Sequence, residues 1–125
     1  MKHKTAELQG ALLDAAVALA DGTAPEIVPF RVDGGHGITF VRDEPVCQVG
    51  VDYFEPSTNW AHGGPIIERE PWALPRVNTN PGALHLGRFA ASTPGGFDYY
   101  GPTPLIAAMR AFVASKLGDE VELPG

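Results

Sequence analysis

Residues 103–118 read TPLIAAMRAFVASKLG, and this stretch decides the class of fold. Thr103 supplies a side-chain oxygen for a helix N-terminus, and Pro104 stands at a first helical position, where no N–H is needed. Leu105, Met109, Phe112, Val113 and Leu117 recur at helical spacing and predict one core-facing stripe. Lys116 lies at the negative end, and Gly118 closes the helix. Ala107, Ala108 and Ala111 keep the rest of the surface small, so another element can approach closely.

A second helix is predicted over 5–20. Thr5 is its cap, Glu7 sits in the positive first turn and Gly22 ends it. Leu8, Leu12, Ala15, Ala16 and Leu19 form its stripe. Between the helices the chain is rich in turn formers. Three short β-like runs follow the first helix: 27–32, which Pro29 marks as an edge, then 38–42 and 46–51. A Gly-rich turn at 33–37 and a second at 43–45 join them into an antiparallel meander. Residues 71–82 read as a surface loop pinned by Trp72 and Leu74. Residues 83–91 read as a strand with Leu84, Leu86 and Phe89 as its apolar members, and 92–101 as another turn-rich stretch. The expected fold is α+β: an antiparallel sheet of about three to four strands, packed by an N-terminal and a C-terminal helix. A short helix follows a Gly-Gly-Pro corner.

The length of 125 residues suits a single domain, residues 1–125, large enough to bury a core without staples. A net charge of −6 opposes binding to nucleic acid by phosphate neutralisation. The one basic cluster, Lys2-His3-Lys4, reads as a solvated end. Cys47 is the only cysteine, so neither an intrachain disulfide nor a Cys-based zinc site is available. Its apolar neighbours mark it as a core residue, and the reducing cytoplasm is the expected compartment. No run approaches the ~18 apolar residues of a membrane span, and no signal-peptide pattern is expected at the N-terminus.

The corner itself spans 56–70, PSTNWAHGGPIIERE. Ser57, Thr58 and Asn59 are residues that bond nearby backbone amides. Trp60 is expected to anchor the corner, Gly63-Gly64 opens a tight path, and Pro65 is expected to start a helix that turns Ile66-Ile67 inward. The same residues make a candidate ligand site. Bare N–H groups at Gly63 and Gly64 suit an anion; Asn59, His62 and Arg69 add donors; Trp60 offers a stacking face. Thr103 at the last helix start joins them, on the expectation that the Gly64-Pro65 and Thr103-Pro104 helix starts face one pocket, with Asp98-Tyr99-Tyr100 forming an aromatic rim nearby. No P-loop lysine follows Gly64, and a GxGxxG fingerprint is missing. His3, His36, His62 and His85 lack metal-type spacing, so no metal site and no cofactor are expected; a site that draws His36, His62 or His85 together with Asp52 or Glu55 has no support in the sequence. A Ser57, His62, Asp52 triad can also be drawn, but without a nucleophile elbow. No catalytic residue is assigned.

Three segments, TAELQGALLDAAVALADG at 5–22, PSTNWAHGGPIIERE at 56–70 and GPTPLIAAMRAFVASKLGDEVELP at 101–124, together resemble the NinX-like family of small bacteriophage proteins. The resemblance implies a phage- or prophage-encoded protein of the bacterial host's cytoplasm, and it carries no activity. It marks Ser57, Thr58, Asn59, Trp60, Gly63, Gly64, Pro65, Glu68 and Arg69, with Gly101, Thr103, Pro104 and Arg110. Family members often carry Asp where this chain has Asn59, so any chemistry needing that acid would be missing here. The 71–82 loop and the glycine-rich 34–37 turn lie outside the resembling segments.

The leading expectation is a non-enzymatic binding protein for a host or phage protein or a small metabolite. The alternative is a small-ligand, nucleotide-like enzyme with its site at Gly63-Gly64-Pro65 and Thr103-Pro104. A third reading is assembly as a homodimer through an exposed strand edge near Ile27.

Overall fold

Proline and glycine cut the β-like runs short, and the strands that remain pair with near neighbours. The computed structural model describes residues 1–24, 36–41, 44–50 and 52–123. Its elements are β1 (Lys2–Lys4), α1 (Gly10–Asp21), β2 (His36–Val41), β3 (Glu44–Val49), β4 (Asp52–Tyr53), α2 (Trp60–Arg69), β5 (Arg76–Val77), β6 (Phe89–Ser92), β7 (Asp98–Gly101), α3 (Pro104–Leu117) and β8 (Glu120–Glu122). The predicted run at 27–32, its turn up to Gly35 and the edge near Ile27 lie outside the described residues.

The α+β class holds, but the single sheet does not. Among the described residues the strands form three antiparallel sheets: β1–β8, β2–β3–β4 and β5–β6–β7. The β2–β3 hairpin pairs His36 with Val49 through Val41 with Glu44, so both strands begin two residues earlier than their apolar runs suggested, and Glu44 and Pro45, expected in the turn, belong to β3. The first of the three-stranded sheets packs on α1 and the second on α3, while the two helices contact each other. The core therefore lies around the helices. Leu13, Ala15, Ala16 and Val17 of α1 and Ala107, Ala108, Met109, Phe112 and Val113 of α3 are almost completely excluded from solvent. A helix apolar on most of its circumference is one packed from several sides.

The last helix runs over the predicted residues, with Thr103 Oγ1 accepting the Ile106 N–H at 3.2 Å and the Gly118 N–H donating to Ala114 O at 2.9 Å. Leu117, expected in the core, is 38% exposed at the helix end. The first helix starts later than predicted. Thr5 opens a short 3-10 turn, Thr5–Glu7, and its hydroxyl donates to Gly118 O at 2.7 Å instead of capping. A long-range contact has taken the group that local sequence assigned to the cap. Leu13 and Val17, outside the predicted stripe, are the residues of α1 most deeply buried with its alanines.

Two further stretches differ. The strand expected at 83–91 shrinks to β6, because residues Pro81–Leu86 form a 3-10 turn that leaves Leu84 and Leu86 exposed. Buried Asn78 holds this turn: its side-chain amide donates to Ala83 O at 2.9 Å and Gly87 O at 2.8 Å. The turn-rich 92–101 contains β7. In the 71–82 loop Trp72 does pack against the core, with its indole N–H donating to Glu70, whereas Leu74 is exposed.

One buried cation ties these pieces together. Arg110, 8% exposed on α3, donates from Nε to Leu8 O at 2.8 Å and from an Nη to Tyr100 O at 2.7 Å. Its two donors meet the segment before α1 and the strand before α3. Removing the guanidinium strands two carbonyls away from water. Arg110→Met is expected to lower stability by about 2–4 kcal/mol, and Arg110→Lys, which lacks the planar fork, to recover only part of it. Urea unfolding measures this as a shift in midpoint at unchanged slope.

Candidate functional site

The corner enters α2 at Asn59, not at Pro65. Asn59 has extended backbone and its Oδ1 accepts the Ala61 N–H at 2.9 Å, so Trp60 is the first helical residue. Pro65 sits inside α2 on its exposed side. Only the Ala61 carbonyl loses an intrahelical bond there, and Ala61 is itself exposed, so water can satisfy it. Ile66 and Ile67 are buried as expected.

The glycines separate into two roles. Gly63 is buried, and a Cβ there would come within 2.5 Å of Pro56 O and 2.7 Å of a Leu105 methyl. It is the point where α2 is pressed against the corner and α3, and its backbone faces protein. Gly64 is half-buried and has space around it. Arg69 is paired with Asp21 at the end of α1, and Lys116 with Glu70 at 3.4 Å, so the C-terminal end of α2 is fastened to both long helices.

His62 turns back on the corner. Its Nδ1 accepts the Glu55 N–H at 3.0 Å and its ring stacks on Phe54 at 5.9 Å between centroids. The drawn triad is absent: Asp52 is exposed, and buried Ser57 Oγ has no hydrogen-bond partner. His36 is not a solvated turn residue but a half-buried member of β2 that accepts from the Gly50 N–H, and His85 is exposed in the 3-10 turn. Among the described residues no group of three or more His, Cys, Asp or Glu could hold a metal ion.

The helix starts do converge, with Trp60 in place of Gly64-Pro65. Ser57, Thr58 and Trp60 on one side and Thr103, Pro104 and Leu105 on the other line a cavity of about 230 Å³. Trp60 does not anchor the core; it is 55% exposed at the cavity's edge. Of the candidate residues, Trp60 and Thr103 line this cleft and Asn59 caps the helix beside it. His62, Gly63 and Arg69 are engaged in packing and pairing behind it. Tyr99 and Tyr100 do not rim the cleft. Tyr99 lines a larger cavity of about 500 Å³ with Phe97 and the C-terminal end of α3.

Beneath the cleft lies a residue that the sequence reading did not single out. Asp14, in the middle of α1, is 4% exposed, and its Oδ1 accepts the Ser57 N–H at 2.8 Å. Burial pushes its carboxyl up to about 6, against the lowering effect of Ser57 and with a further rise from Glu55. The Ser57 hydroxyl adjoins the same carboxylate without reaching standard hydrogen-bond geometry. Cys47 lies near enough to feel it. Burial first, and the Asp14 charge second, push the thiol up to about 12, so it is a neutral core residue at pH 7 as its neighbours implied. The signal for Asp14 was a lone acid inside the apolar run ALLDAAVALA.

The family model for bacteriophage P22 NinX matches residues 4–116. The chain belongs to that family. The match takes in the 71–82 loop and the glycine-rich turn as well as the first two resembling segments and the third up to residue 116, and it places the protein among phage-encoded accessory proteins. No curated protein matches the chain. No helix among the described residues is long and apolar enough to cross a membrane.

The Asp14 carboxyl makes a signed prediction. Its folded value of about 6 lies above the ordinary 3.8, so the native state binds the extra proton between these values. Its stabilising effect is complete below about pH 4 and is lost as pH rises through about 6. At roughly 1.4 kcal/mol per pH unit the loss is on the order of 2–3 kcal/mol. Asp14→Asn keeps an acceptor for the Ser57 N–H and removes the charge. The variant should lack this decline and exceed the wild type in stability at pH 7.5, as measured by urea unfolding across the range.

Proposed function

We propose that this single-domain phage or prophage protein is a non-enzymatic binding protein of the bacterial cytoplasm. It holds a host or phage protein at the cleft between the starts of α2 and α3. The observation that carries this reading is Trp60: a large aromatic side chain, 55% exposed, at the edge of a concavity between two capped helix starts. Exposed Trp beside a small pocket is the usual composition of a binding hot spot. Asn59 and Thr103 fix the two walls, Gly63 sets their spacing, and His62, Gly64 and Arg69 support the helix that presents Trp60.

Size separates this from the nucleotide-like alternative. The cleft holds about 230 Å³, whereas sites for small organic ligands occupy roughly 300–1,000 Å³. It suits one inserted side chain of a partner better than a base, sugar and phosphate. The groups with raised proton affinity nearby, Asp14 and Cys47, are buried behind the cleft and not presented in it.

Partners would be captured from phage-infected cells with the wild type and with Trp60→Ala, then purified and titrated by calorimetry. Trp60→Ala should keep the melting temperature within about 2 °C, since an exposed side chain contributes little to folding. It should weaken the captured partner by about tenfold or more. Equal affinity for the two proteins would remove the cleft from the interface.

A further inference from the structure

The cavity of about 500 Å³ beside the C-terminal end of α3 shares no residue with the Trp60 cleft. One wall is the turn between β6 and β7, which carries Phe97; the others are Tyr99 and the end of α3, with Ser115 and Asp119. Phe97 is 72% exposed, yet its backbone is pinned at both polar atoms: its N–H donates to Thr93 Oγ1 at 3.2 Å and its carbonyl accepts the Thr93 N–H at 2.9 Å. The hairpin below is held as well, by Arg76 on Asp98 at 3.1 Å. A large aromatic side chain is thus presented to solvent by a turn that is fixed in place. We propose that this cavity is a binding site for a small organic cation, its ammonium group held by the Phe97 and Tyr99 rings and the Asp119 carboxylate.

The sign of the ligand's charge follows from the lining. The cavity lies at the negative end of the α3 dipole, and Asp119 adds a full charge there. Lys116, the basic residue in the last turn of α3, is paired with Glu70 at 3.4 Å and does not line the cavity. The Ser115 hydroxyl spends its proton on Phe112 O at 2.7 Å, so it presents lone pairs. The Asp119 backbone is fixed by the Thr5 N–H, which donates to its carbonyl at 2.9 Å. Its side chain makes no hydrogen bond or ion pair among the described residues. Burial first, and the Asp119 charge second, hold the Tyr99 phenol above its ordinary range, which places the carboxylate within electrostatic reach of that side chain. Two aromatic rings beside an anion are the composition that recognises organic ammonium groups, because the ring faces are negative. A bare metal ion is the poorer match: it takes several oxygen ligands, and no group of three or more metal-ligating side chains occurs among the described residues. The volume falls within the roughly 300–1,000 Å³ of small-molecule sites, unlike that of the Trp60 cleft.

Paired probes separate charge from shape. Choline and benzylammonium would be titrated into the full chain and followed by ¹H–¹⁵N NMR, against their neutral counterparts 3,3-dimethyl-1-butanol and benzyl alcohol. Both cations should shift the amides of Phe97, Tyr99, Ser115 and Asp119, and each neutral counterpart should bind about fivefold more weakly or worse. Phe97→Ala and Asp119→Asn should each weaken the cations by a similar factor. Both side chains are exposed, so the melting temperatures should stay within about 2 °C of the wild type. Asp119→Asn should also erase the preference for cation over alcohol, which a loss of shape alone would leave intact. Trp60→Ala should bind the cations as the wild type does, since the cleft and the cavity are separate. Absence of binding by both cations overturns the proposal. So do alcohols that bind as tightly as their cations, and cation affinities unchanged by Phe97→Ala and Asp119→Asn.

Discussion

Arg110 places a guanidinium where three pieces of chain meet: the segment ahead of α1, the strand β7 and the helix α3. Its charge is nearly excluded from water and is met by two backbone carbonyls. A fork of rigid N–H donors satisfies both with one side chain, which an ammonium cannot do in the same geometry. The arrangement holds β7 against the helix it precedes. There Gly101 completes the approach: a Cβ at this position would come within 2.7 Å of the Ala107 nitrogen. With β7 so placed, the start of α3 is fixed, and with it one wall of the cleft.

What was legible in the sequence follows from the range of the interactions involved. The cap, first proline, stripe and terminal glycine of α3 are local, and the helix appears over the residues they delimit. Thr5 carried an equally local signal, yet its hydroxyl is bound to Gly118 O across the length of the chain. Leu84 and Leu86 alternate as strand residues should, but buried Asn78 offers the backbone a competing set of hydrogen bonds and wins. The helices were visible as amphipathic stripes, whereas the division of the strands into three sheets was not. Strand partnership depends on which helix each hairpin covers, and no periodicity records that.

The corner shows the same division. Asn59 was readable because its cap is made two residues away, and Ile66-Ile67 because helical spacing turns them inward, whereas Ser57, expected to bond nearby amides with its side chain, gives its N–H to distant Asp14 instead. Gly63 looked like bare backbone open to a ligand; its real constraint is Pro56 and Leu105, the latter from another helix. Arg69 looked like a donor for an anion and is taken by Asp21. Asp14 was visible only as an anomaly, a carboxylate among alanines and leucines, and its meaning came from Ser57, more than forty residues away in sequence.

An acceptor is all that the Ala61 N–H requires of residue 59, and Asp and Asn serve that position equally well. Ser57, Gly63, Arg69, Gly101, Thr103 and Arg110 likewise each have a partner inside the chain or a close approach that demands them. Together they hold two helix starts at a fixed separation. Trp60 is the large apolar side chain of the motif that this packing does not use, and it stands exposed where the two starts meet. The constraint on the two helix starts therefore falls on the residues around Trp60, while Trp60 itself contributes surface and not core.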